Sequence, residues 1–313
     1  MKPEQVLDFH AHFPAKTGMA RRELHPLVKA YAKELKEHWR ETFDFPEPEK
    51  KMRGIQVQGE RWAAEVENHH LEKVVFMTGG GNKVLSDVVR QHPKEFMGFA
   101  HHDLCEPNAV EEMQHALDDL SLSGYKWFGP MTKLPFESLE LKPFWRLLAD
   151  RKVPVLIHFG VLGGPGGIVR HPRISPITLA EVAQEYTDIP FIIPHFGAGY
   201  YQDLLHLAWS SPNVYIDSSG SNDWIRWMPH PLSLKDLFAR ALDTVGPKRI
   251  IFGTDSSWFP RGWAKKYFDL QTQVCTELGV SQEEMNAIFY RNGAILLGLE
   301  SDNTSRPVLI ERK

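Results

Sequence analysis

The sequence predicts an α/β fold, a (β/α)₈ TIM barrel with a helical insertion after the first strand and an extra helix at the carboxyl end. Short apolar, β-branched runs alternate with amphipathic stretches of helical length along the chain, and eight such runs occur. An open doubly wound sheet shares the alternation, but its dinucleotide fingerprint, G-x-G-x-x-G after the first strand, is absent. The closed barrel is therefore the preferred reading.

The elements follow in order. Strand one is "QVLDFHAH" (5–12), and residues 14–58 then interrupt the first unit with "PLVKAYAKELKEHWRETF", a helix by its periodicity, and the proline-broken, charged "DFPEPEKKMRG". This insertion is expected to fold over the carboxyl face of the barrel. Strands two to four are "KVVFMT" (73–78), "FMGFAHH" (96–102) and "GYKWFG" (124–129); strands five to eight are "VPVLIHFG" (153–160), "IPFIIPHFG" (189–197), "NVYIDSSG" (213–220) and "RIIFGTD" (249–255). Helices are expected in "NAVEEMQHALDDLSLS", "ELKPFWRLLADR", "SPITLAEVAQEYT" and "LSLKDLFARALDTV", several opening at Ser or Asn with an acidic residue soon after. A helix over 264–278 and another over 281–299 complete a single domain, 1–299, followed by a polar tail, 300–313.

Composition narrows the partners. In 313 residues, Lys+Arg number 36 against Asp+Glu 40, so no excess of positive charge attracts nucleic acid or an anionic membrane. Cys105 and Cys275 are too few for a disulfide framework and suit a reducing compartment. No secretory signal and no membrane-length apolar run is present, so a cytoplasmic protein acting on a small molecule is expected.

Histidines fall at the ends of strands. His10 and His12 stand at i and i+2 and share one strand face, which at the carboxyl end of a barrel strand is the mouth where sites are built. His158 closes "VLIHFG", His195 closes "FIIPHFG" and Asp255 closes "IIFGTD". Any one strand-end histidine is more often a hydrogen-bonded core residue than a ligand, but their joint placement points to a metal site. Imidazole nitrogen with a carboxylate oxygen suits zinc or another divalent first-row ion with a position left open.

These residues resemble the amidohydrolase-related family of metal-dependent (β/α)₈ proteins, in the branch that includes aminocarboxymuconate-semialdehyde decarboxylase. The resemblance runs from strand one to the final helix, on "DFHAHF", "VLIHFG", "IIPHFGAG", "FGTD" and "RNGAILLGL". It implies His10, His12, His158 and Asp255 as metal ligands, and His195 as the residue beside the metal-bound water, either acid/base or ligand to a second ion. Lys126 ends strand four, where other amidohydrolases place a carboxylated lysine bridging two metals; one ion is favoured over two. The family's frequent dimers suggest a homodimer by analogy alone, and the sequence itself does not give the oligomeric state.

The chemistry expected is hydrolysis of a small carboxylate-bearing or aromatic ester, lactone or amide through a metal-activated water, with His195 or Asp255 handling the proton. The alternative is non-oxidative decarboxylation of an aromatic or unsaturated acid. Against it, the aspartate motif continues as "TDSSWFPRGW", whereas decarboxylase-like relatives usually run into a tight proline turn. A third reading is a non-catalytic barrel that binds metal and carboxylates, disfavoured because every expected catalytic position is filled. For substrate contacts the sequence offers the aromatics Trp127, Phe159 and Trp258 and the cations Lys126 and Arg170, all in or just after strands four, five and eight. Packing under the loops is a nearly equal reading for the aromatics. The "GGPGG" run at 163–167 is a candidate gate.

Overall fold

A computed structural model describes residues 1–16, 23–164 and 166–301. Eight parallel strands run in sequence order: β1 (Leu7–His12), β2 (Lys73–Thr78), β3 (Phe96–Ala100), β4 (Gly124–Phe128), β5 (Val155–His158), β6 (Phe191–Ile193), β7 (Val214–Asp217) and β8 (Ile250–Ile251). Backbone bonds join the last strand to the first: Phe9 N–H donates to Phe252 O (3.1 Å), Asp255 N–H to His10 O (2.7 Å) and His12 N–H to Ser256 O (2.7 Å). A closed barrel results, with every strand buried on both faces, which is why the strands read as apolar runs.

Between the strands lie α1 (Pro26–Thr42), α2 (Ile55–Asn68), α3 (Asn82–Gln91), α4 (Ala109–Asp118), α5 (Lys142–Asp150), α6 (Ala180–Glu185), α7 (Tyr201–Ser210) and α8 (Leu234–Val245); α9 (Lys265–Glu277) follows β8. The expected closing helix is present but broken into α10 (Gln282–Asn286) and α11 (Asn292–Leu296) by a π turn over Ala287–Arg291. Capping boxes start α8 at Ser233 with Asp236 and α10 at Ser281 with Glu284. No helix among the described residues is long and apolar enough to cross a membrane.

Two packing layers follow from the strand period of two. One set of strand residues, including Val74, Phe76, Tyr125, Ile157 and Ile216, packs outward with the helices. The alternate set, Leu7, Phe9, Val75, Met77, Phe99, Leu156, Ile192 and Ile251, fills the barrel below the mouth. Gly293 of α11 presses on this set from outside, where a Cβ would meet Phe9 at 2.9 Å.

The sixth and eighth strands fall furthest short of their expected ranges. β6 stops at Ile193 because Pro194 follows, and His195 (φ +57°) and Phe196 (φ +47°) then adopt left-handed backbone. β8 stops at Ile251, and Asp255 (φ +56°) is left-handed as well. Non-glycine residues in this region are uncommon, and such strain gathers at functional sites.

The β5 and β6 loops meet at Gly160, whose φ is +76° and where a Cβ would overlap the carbonyl oxygens of Ala198 and Gly197. Gly160→Ala is therefore expected to cost about 2–4 kcal/mol, from the strained backbone and the clash together. Thermal unfolding should show a Tm lowered by several degrees; an unchanged melt would mean that the two loops separate freely.

Candidate active site

β1 carries the first two side chains. A register shift against β2 between Asp8 and Ala11 bulges the strand, so Phe9 joins the interior cluster while its neighbour His10 stands at the foot of the mouth. His10 is fully buried, and Gly253 leaves it room: a Cβ there would lie 2.7 Å from the His10 Cβ. Beneath it Asp8 accepts from the His10 backbone N–H (3.1 Å) and the Trp263 indole (2.9 Å), and burial pushes the Asp8 carboxyl up to about 7.

Hydrogen bonds decide which nitrogen each ring presents. His10 Nδ1 lies 2.6 Å from the Asp217 carboxylate, and His12 Nδ1 lies 2.7 Å from Thr78 Oγ1. With Nδ1–H donating in each, both Nε2 atoms keep a free lone pair. His195 Nδ1 lies 3.1 Å from the carbonyl oxygen of Ser219, which can only accept, so its Nε2 is free too. His158 is the reverse: Nε2–H donates to Val161 O (3.1 Å), leaving Nδ1 as the acceptor.

The free atoms converge. His10 Nε2 and His12 Nε2 are 3.3 Å apart, and Asp255 Oδ1 lies 3.2 Å from His12 Nε2 and 3.9 Å from His10 Nε2. Among the described residues, ligand atoms of His10, His195 and Asp255 all lie within 4.8 Å of one another. His12 and His158 both fall outside that set of three, and His158 stands beside His195, ring centroids 5.0 Å apart. Two imidazole lone pairs facing each other at this distance repel unless a cation lies between them, and the third wall is a carboxylate. A divalent cation therefore fits the donor set.

The electrostatics agree. Burial, then the nearby Lys126 and His195, hold His10 well below the usual imidazole range, so it is neutral and able to ligate. His158 is held down by burial, then by His195 and Lys126. Desolvation works against ionisation of Asp255, but the surrounding imidazoles of His12, His195 and His10 outweigh it and hold the carboxyl below the usual range. Its side chain is 39 % exposed, facing the open mouth, whereas His10 shows none of its side chain.

The predicted substrate residues separate. Lys126 is 1 % exposed at the floor of the site, and burial pushes its amine down to about 7 against the pull of Asp255 and Asp217. Trp258 is half-buried in the loop after β8, and Arg170 is exposed in the loop after β5, where Pro165 of the glycine run lies outside the described residues. Trp127 and Phe159 are packing residues: Trp127 bonds its indole N–H to Thr132 Oγ1 (2.8 Å) in the outer layer, and Phe159 packs on Phe136 (5.7 Å). Each is the strand neighbour of an inward residue, Lys126 or His158, so the period of two turns it outward.

Asp217 and Ser219 were not singled out by the sequence. Asp217 is fully buried, desolvation pushes it up to about 6, and it orients His10; Ser219 Oγ lies 3.1 Å from His10 Nδ1 and 3.0 Å from His195 Nδ1. The available signal was position: Asp217 ends β7 as His158 ends β5.

A (β/α)₈ barrel with imidazoles and a carboxylate converging at its mouth defines a class of metal-dependent enzymes. Within it, the family model for Amidohydrolase matches residues 7–299, and the chain belongs to that family. No curated protein gives a significant match to the sequence. Among solved structures, the chain is similar to an uncharacterized TIM-barrel protein from Bordetella bronchiseptica (19 % identity, 94 % of this chain and 98 % of that one, TM-score 0.66). It is similar to 5-carboxyvanillate decarboxylase from Novosphingobium aromaticivorans, complexed with manganese and 4-hydroxy-3-methoxy-5-nitrobenzoic acid (12 % identity, 94 % and 96 %, TM-score 0.64). A probable 2-pyrone-4,6-dicarboxylic acid hydrolase from Acinetobacter baumannii, with citric acid bound, is similar at 14 % identity (94 % and 99 %, TM-score 0.60). At these identities the likeness shows the fold.

Proposed function

We propose that this chain is a metal-dependent hydrolase of a small, carboxylate-bearing or aromatic ester, lactone or amide. The observation that carries the reading is the cluster at the mouth: His12 Nε2 lies 3.3 Å from His10 Nε2 and 3.2 Å from Asp255 Oδ1, and ligand atoms of His10, His195 and Asp255 lie within 4.8 Å of one another. His10, His12 and Asp255 would hold the ion, with His158 or His195 completing the set, and the nitrogen-rich donors suit zinc. When bound, a divalent ion acidifies water and polarises a carbonyl or carboxylate oxygen.

The chain's own residues supply the rest. Ser219 O fixes the His195 ring by its Nδ1–H, leaving Nε2 to take a proton from the attacking water and return it to the leaving group. Asp217 and Thr78 hold the His10 and His12 rings in the tautomer that turns Nε2 to the mouth. Lys126, when protonated, places a cation at the floor, able to steady negative charge that develops on the substrate. The insertion would help to enclose the site: at one end Phe43 and Phe45 meet Tyr267 edge-on, both at 5.4 Å, and at the other Val28 lies against Gly166 of the β5 loop. α1, with 17 residues or about 25 Å, reaches between the two.

Non-oxidative decarboxylation is the second reading, favoured by the likeness to the Novosphingobium decarboxylase. Zinc- and manganese-loaded protein assayed on a panel of lactones, esters, amides and aromatic carboxylic acids tests both. Metal-dependent acid release from the first three groups is the expected result. Carbon dioxide release from the aromatic acids alone would replace hydrolysis with decarboxylation, and no turnover of any member by metal-loaded protein would favour a binding protein.

A further inference from the structure

Arg261 carries a charge that the fold does not answer. Its guanidinium carbon lies over two aromatic rings, 5.1 Å from the centroid of Phe45 and 4.8 Å from that of Trp258. Nη2 donates to the backbone oxygen of Asp255 (3.2 Å), while Nε is buried with no hydrogen-bond partner. Among the described residues no carboxylate oxygen comes within the 4.0 Å of an ion pair. The nearest acids are engaged elsewhere: Asp255 faces His12, and Asp8 accepts from Thr254, Trp263 and the His10 backbone.

A partly buried guanidinium normally finds an anion or fills its donor positions with carbonyls, because desolvation without compensation is costly. Nη2 serves the Asp255 carbonyl and Nε is unpaired, so part of the donor fork is left for a partner, and a planar fork of donors matches a carboxylate. The fork starts from the backbone of a candidate metal ligand, and one covering ring belongs to the insertion.

We propose that Arg261 is a specificity-determining residue that receives a carboxylate of the substrate distinct from the group that reacts. The inference rests on the metal-dependent reading of the same site and narrows its substrates to acids with a carboxylate remote from the reacting bond. It also ties binding to enclosure: an anion on the guanidinium holds in place the cation against which Phe45 of the insertion packs, and Phe45 stacks in turn on Phe43 (5.8 Å).

Calorimetric titration of the metal-loaded protein with benzoate and with benzene-1,3-dicarboxylate tests this. The wild type should bind the dicarboxylate more tightly than benzoate. Arg261→Met should weaken dicarboxylate binding by about 10- to 100-fold and remove the preference, and Arg261→Lys, which keeps charge without the fork, should fall between. Equal dicarboxylate affinity in wild type and Arg261→Met, or no preference in the wild type, would overturn the proposal. Should Arg261→Met fail to fold, as a melt would reveal, Arg261→Lys decides by the same comparison. Repeating the titrations after chelation separates the two readings: binding indifferent to metal removal counts against the metal site, while a persisting difference between wild type and Arg261 variants still supports Arg261.

Discussion

His195→Asn is expected to lower kcat by about 10²–10⁴-fold on whichever substrate the panel identifies, the contribution typical of a well-placed acid or base. The imidazole is held by Ser219 O and presents Nε2 to the cluster, while the left-handed backbone after Pro194 places it off the strand line. Asn keeps a polar group of similar reach but cannot take a proton near neutral pH. Metal content read on the same sample separates the roles left open by the geometry, because His195 also belongs to the set within 4.8 Å. Metal retained with kcat lost assigns the proton transfer to His195; metal lost assigns it as a ligand. An unchanged kcat with metal retained would move the proton transfer to Asp255 or water.

Much of this site is legible in the sequence because barrel geometry converts strand position into spatial position. His10 and His12 share a face through the period of two, and His195 and Asp255 meet them because their segments end at the same mouth. What escapes is whatever depends on one side chain choosing another far along the chain. Asp217 is 207 positions from His10, and nothing within "NVYIDSSG" distinguishes a ring-orienting carboxylate from a strand-end acid on the surface. Arg261 looks like a solvated loop arginine until Phe45 of the insertion is seen against it. Trp127 and Phe159 are misleading for the opposite reason: aromatic residues beside a site are as useful to the outer layer as to a substrate. The early end of β6 is legible in Pro194, but the left-handed turn that aims His195 is not.

The second large effect concerns the ion. His10→Ala removes a neutral, buried nitrogen from the centre of the cluster and leaves Asp217 buried without its ring partner, so metal binding should be abolished rather than weakened. Asp217→Asn keeps the ligand and alters only its orientation and basicity, and affinity should fall by about 10- to 100-fold. The graded order, wild type above Asp217→Asn above His10→Ala, distinguishes a metal centre from a cluster that merely packs, for which none of the three would differ.

Zinc stoichiometry and affinity of freshly purified wild-type protein, by elemental analysis and competitive chelator titration, decide whether the barrel mouth holds a single ion. One ion per chain, bound tightly and lost in His10→Ala, is the predicted result. Two ions per chain, one of them lost in Lys126→Ala, would replace the single-ion site with a binuclear one. No specific binding of zinc or manganese by the folded wild type would mean that the cluster of His10, His12, His195 and Asp255 is not a metal centre.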